Sequence, residues 1–102
     1  MLLRGNKGKG RGKEKMKKTE GYVVRRLEDE YLVLPSGRRT EEVNEVISLS
    51  ETAGFIYMHA ERAENVDELA QLVAEEYEIE LAEVLEDVRN VVLTLQKKGI
   101  LL

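Results

Sequence analysis

The chain has 102 residues, 35% of them charged, with one histidine and no cysteine. That suits one domain with a modest core, and it leaves out disulfide frameworks, cysteine-ligated zinc and thiol nucleophiles. The net charge of −4 divides unevenly, because residues 1–18 hold eight Lys/Arg against one Glu while residues 19–102 hold eight Lys/Arg against nineteen Asp/Glu; so acidic a body argues against wrapping nucleic acid.

No apolar run approaches the roughly 20 residues needed to span a bilayer, and Met1-Leu2-Leu3-Arg4 is too short for the apolar part of a signal peptide. A cytoplasmic protein with no membrane partner is expected, and the lack of cysteine agrees with a reducing compartment. The first segment, residues 1–18, contains the run Asn6 to Lys18, rich in Gly and Lys and without hydrophobic period. It predicts a disordered basic tail. Three explanations stay open for it: an arm for nucleic acid or another anionic partner, a solvated tail with no specific role, or a ribosome-binding site translated by mistake. Gly, Lys, Arg and Glu can all be written in purine-only codons, and on the last explanation Met16 is the natural start. The folded domain is expected over residues 19–102.

Tyr22 to Leu27 is rich in β-formers and predicts a strand. Glu28-Asp29-Glu30 predicts a turn, and Tyr31 to Leu34 a second strand that Pro35 ends or places at an edge. Ser36 to Glu42, with Gly37, reads as a loop. Val43 to Leu49 predicts a third strand, in which Ile47 and Leu49 alternate with Val46 and Ser48. It runs without a loop into a helix from about Glu51 to Ala60, with Ser50 as N-cap and Glu51 where the helix dipole favours an anion. Ala53, Ile56, Tyr57 and Ala60 share one face of that helix, and the interior Gly54 costs roughly 1 kcal/mol against Ala, which points to a close packing contact there. A second helix starts near Val66, where Asn65 and Glu68 have capping-box spacing and Val66, Leu69, Val73 and Tyr77 form the apolar stripe. After Glu78-Ile79-Glu80 a third helix carries Leu81, Val84, Leu85, Val88, Val91, Val92 and Leu95; Lys97 and Lys98 suit its C-terminal dipole and Gly99 its C′ position. Val84 and Val91 lie to one flank of this stripe, which fits either a wide core face or a groove against a neighbouring strand.

No catalytic constellation is visible. His59 is the only histidine and has no second ligand type beside it, so it reads as a surface helix residue rather than a metal or triad member. Pairs such as Glu75-Glu76 and Glu86-Asp87 read as solvated helix faces, and no glycine-rich phosphate loop follows a strand. No enzyme activity, cofactor or metal is expected. A small sheet with an unpaired edge is instead suited to β-augmentation, in which a peptide adds as a further strand.

Tyr22-Val23-Val24, Tyr31 to Pro35, Gly37, Asn44, the run Ile47 to Tyr57 and the ending Leu95 to Leu101, in this order and spacing, resemble the coenzyme PQQ synthesis protein D family. Val66-Asp67-Glu68-Leu69 and Asp87-Val88 fit as well, and the resemblance covers about Thr19 to Leu102. It implies an α+β, winged helix-turn-helix-like fold, also called the RiPP recognition element: a three-stranded antiparallel sheet followed by three helices. It also implies a partner, the leader segment of a ribosomally made precursor peptide, which is presented to a modifying enzyme, often a radical SAM maturase. In that family the leader docks beside the third strand and over the third helix. On this chain those elements hold Val43, Asn44, Glu45, Val46, Ile47, Ser48 and Leu49, with Val84, Asp87, Val88 and Val91 on the helix. The chain departs from the pattern at Ser50, commonly Asn in the family, and at Tyr57, commonly Trp. The alternative reading is a winged-helix DNA-binding regulator, but the stretch Asp67 to Glu78 has five acidic residues and no Lys or Arg, which is wrong for a recognition helix. Monomer and homodimer both stay open, because an unpaired edge can also accept a second copy.

Overall fold

The computed structural model describes residues 15–42 and 45–102. Strands β1 (Tyr22–Leu27) and β2 (Glu30–Pro35) form an antiparallel hairpin across Glu28 and Asp29. Strand β3 (Ile47–Ser50) pairs antiparallel with β2, and the sheet order is β1-β2-β3. Alternation then divides the sheet into two faces. Val24, Val33 and Ile47 stand in one row, and Arg26, Tyr31 and Leu49 in the next; Val33, Ile47 and Leu49 are buried, so this face looks into the core.

The helices follow as α1 (Arg39–Glu42), α2 (Glu51–His59), α3 (Val66–Tyr77) and α4 (Leu81–Lys97), with a 3-10 turn at Ala60–Arg62 after α2. Their ends obey the capping rules. Ser50 Oγ accepts from the Ala53 amide at 3.2 Å. Asn65 Oδ1 accepts from Glu68 N at 2.9 Å, and the Glu68 carboxylate reaches back to the Glu64 amide. Gly99, at φ 84°, closes α4, with its own N–H on Gln96 O and that of Ile100 on Leu95 O; those two bonds make a Schellman motif.

Three elements differ from the sequence expectation. First, Ser36 to Glu42 is not all loop: α1 occupies its second half, held by Thr40 Oγ1 donating to Gly37 O at 2.7 Å and by Arg39 Nη2 donating to Glu20 O at 2.9 Å. Second, the third strand runs Ile47–Ser50 rather than Val43 to Leu49. Continuing the register would set Val46 beside Leu34 and Glu45 beside Pro35, and Pro35 has no N–H to give a ladder. Val43 and Asn44 lie outside the described residues.

Third, residues 15–18 belong to the fold and not to a disordered tail. Met16 is buried in the core. Lys17 exchanges backbone bonds with Leu102 (3.3 and 2.7 Å), and Thr19 N donates to Ile100 O at 3.1 Å. This short ladder, bridged at Lys18 and Leu101, clamps the two ends of the domain. Residues 1–14, the rest of the expected tail, lie outside the described residues.

One hydrophobic cluster holds the parts together: Val33 and Leu49 from the sheet, Ile56 and Tyr57 from α2, Leu69 and Val73 from α3, Val88 and Leu95 from α4, and Ile100 and Leu101 after it. Gly54 on α2 lies flat against the Tyr31 ring of β2, where any Cβ would overlap the ring. The glycine expected to mark a close contact therefore sets the distance between helix and sheet.

Candidate peptide-binding edge

A three-stranded sheet in the order β1-β2-β3 leaves two outer edges. An unpaired edge is commonly guarded by charge, and β1 carries Arg25 and Arg26 in mid-strand. Arg26 folds over the Tyr31 ring, 5.2 Å from its centroid, and donates to Tyr31 Oη at 3.2 Å. The sequence of β3, Ile-Ser-Leu-Ser, has no charge at all, and among the described residues nothing pairs with its second edge. Ile47 and Leu49 anchor it in the core, while Ser48 and Ser50 face outward. Ser48 Oγ donates to Glu30 Oε1 at 2.6 Å, which ties the strand to its neighbour across the outer face. Just before it, Glu45 and Val46 are exposed, Val46 at 50%.

On α4 the candidate residues separate. Val84 and Val88 are buried with Val92 and Leu95, so the wide-core explanation holds for Val84. Val91 is half-buried and Asp87 exposed. One flank of α4 is turned to α3: Leu85 packs on the core, and Arg89 Nη2 meets Asp67 Oδ1 of α3 at 3.4 Å. At about 100° per residue, Glu83, Asp87, Asn90, Val91 and Thr94 fall on the other flank, all exposed except the half-buried Val91. Of these, Glu83, Asn90 and Thr94 were not singled out from the sequence. The same helical arithmetic finds them once Arg89 is known to sit on the α3 side.

A different concavity of about 490 Å³ opens along α2 and α3, lined by Phe55, His59, Arg62, Leu72, Glu75 and Glu76; it takes in none of the candidate residues. His59 is half-buried there rather than a surface residue. Its ring stacks on Phe55 at 4.0 Å, and its Nδ1 lies 2.9 Å from Phe55 O, the distance of an N–H donating to that carbonyl. Among the described residues no charged or polar side chain is buried, and no three His, Cys, Asp or Glu side chains gather to hold a metal. Also among them, no helix is long and apolar enough to cross a membrane. The raised pKa values are those of Tyr57 and Tyr77, each pushed up first by burial and then by nearby carboxylates, Glu61 for Tyr57 and Glu51 for Tyr77.

A family model described as Coenzyme PQQ synthesis protein D (PqqD) matches residues 30–101, the span from β2 through α4 to the closing clamp. The chain belongs to the coenzyme PQQ synthesis protein D family. No curated protein matches it. Two solved structures share the fold. One is TbiB1, in complex with the TbiA(beta) leader peptide: TM-score 0.64 and 20% identity over 83% of this chain and 93% of that one. The other is a lasso peptide synthetase B1 complexed with the leader peptide: TM-score 0.67 and 23% identity over 86% and 98%. At such identities the likeness speaks for architecture, a three-stranded antiparallel sheet followed by helices. The family match and the fold agree with the resemblance carried by Ile47 to Tyr57 and by the Leu95 to Leu101 ending.

Proposed function

We propose that this PQQ synthesis protein D family member binds the leader segment of a ribosomally made precursor peptide. The leader adds as a strand to the free edge of β3, over the open flank of α4, and the protein presents it to a modifying enzyme, a radical SAM maturase, without catalysing a reaction itself. The observation that carries this reading is the uncharged, unpaired β3 edge in a family member whose other edge strand holds two arginines. The two similar structures, both solved with a leader peptide, support it. In strand addition the backbone supplies affinity and neighbouring side chains supply choice. Glu45 to Leu49 would therefore meet the peptide's main chain, while Asp87 and Val91 select among its side chains and the buried Val84 and Val88 hold that flank in place. The work is cytoplasmic, where the ribosomal precursor is made. A DNA-binding role has little support, because α3 is acidic along its exposed face.

The test is isothermal titration with the leader of a precursor encoded beside the gene. Binding should occur with the wild-type protein and be lost with Val46→Pro. Val46 lies outside the β2–β3 ladder, so proline there removes an edge N–H and fixes φ without breaking a native sheet bond. Full-strength binding by a folded Val46→Pro protein would place the site elsewhere.

A further inference from the structure

The open flank of α4 also carries information about which peptides fit. It presents Asp87 one turn and Glu83 two turns before the half-buried Val91. No Lys or Arg occurs between Arg62 and Arg89, and Arg89 is turned to the α3 side, where it meets Asp67. At the approach to β3 the exposed Glu45 adds a further carboxylate. A strand laid on the β3 edge and over the first turns of α4 would thus find an uncharged backbone partner beside the carboxylates Glu83 and Asp87; the exposed cations Arg38, before β3, and Lys98, at the far end of α4, are one full turn or more from Val91 along the chain. An apolar side chain can cover Val91, but a carboxylate beside Asp87 and Glu83 would be repelled, while a Lys or Arg would be attracted and could lay its aliphatic stem on the valine.

Resting on the strand-addition reading, we infer that the site takes a cationic leader: a strand-forming segment whose α4-facing positions, every second residue, include Lys or Arg to meet Asp87 and Glu83 and an apolar residue to cover Val91. The carboxylates choose the peptide, and the β3 edge binds it. Such pairs are exposed, so each is modest and screened by salt; what they supply is discrimination between leaders of opposite charge more than affinity.

Two synthetic peptides of equal length test this with the full chain. In both, every second residue is in turn valine or a charged residue, Lys in one peptide and Glu in the other, with threonine at the positions between, so that apolar and charged side chains share one face. In low salt the Lys peptide should bind about tenfold tighter or more, and the preference should shrink to about twofold in roughly 0.5 M NaCl. The double variant Glu83→Gln/Asp87→Asn should lose the preference while staying folded by circular dichroism. Glu75→Gln/Glu76→Gln, beside the α2–α3 concavity, should keep it. Equal or tighter binding of the Glu peptide overturns the inference, as does an equal loss of preference in the α3 variant, which would mean diffuse attraction to an acidic domain. If both peptides bind alike and Val46→Pro abolishes both, the charge inference falls and strand addition stands. If neither binds, or Val46→Pro changes nothing, strand addition falls and the inference with it.

Discussion

Gly54 shows how much of this fold rests on one missing Cβ. In the middle of α2 a glycine costs the helix roughly 1 kcal/mol, and the Tyr31 ring fills the space that a side chain would need. Gly54→Ala should therefore destabilise the domain by about 1 to 3 kcal/mol despite the better helix former, read as a lower midpoint in chemical unfolding; a gain would mean that α2 stands off from the sheet. Tyr57, buried on the same helix, ties stability to alkaline pH. Burial raises its pKa from the ordinary 10.0, so the fold favours the neutral phenol. That contribution is complete below about pH 10, the unfolded value, and is lost as pH rises through the higher folded value. The free energy of unfolding should fall above pH 10, and Tyr57→Phe should make the fall shallower, measured by denaturant titration at stepped pH. Gly54 was legible in the sequence because a glycine inside an apolar period needs a reason. Met16 was not: it stands between lysines, and those lysines are held by residues far along the chain, Lys15 by Glu61 and Ala63 and Lys17 by Leu102.

At the scale of elements, the strand-to-helix junction was the clearest signal, since Ile47-Ser48-Leu49 alternates and Ser50 caps within a few residues. The start of β3 was not legible, because Pro35, on the neighbouring strand, stops the ladder, and only register reveals that. The four-residue α1 is too short for a hydrophobic period. The site divides in the same way. Ile47, Ser48 and Leu49 were placed by alternation, but Val84 and Val91 could not be divided between core face and groove wall until α3 was seen to occupy one side of α4, with Val84 buried and Val91 half-buried toward the other. The end of α3 carries its own prediction. Glu78 caps it in the left-handed region at φ 55°, where a Cβ costs roughly 1 kcal/mol or more. Glu78→Gly should raise stability by about 1 kcal/mol, seen as a higher thermal midpoint with peptide binding unchanged.

For the whole molecule, the helices and the clamp between Lys17 and Leu102 hold a sheet whose two edges differ in kind. The β1 edge is charged; among the described residues the β3 edge is uncharged and unpaired, and strand addition needs that difference. Amide hydrogen exchange on isotopically labelled protein, with and without the neighbouring leader peptide, reads both edges at once. Binding at β3 should slow exchange at those amides of Glu45 to Ser50 that are not bonded to β2, while β1 and the Phe55–His59 concavity stay unchanged. Protection that appears along β1, or only around Phe55 and His59, with β3 exchanging as fast as before, would contradict strand addition at β3.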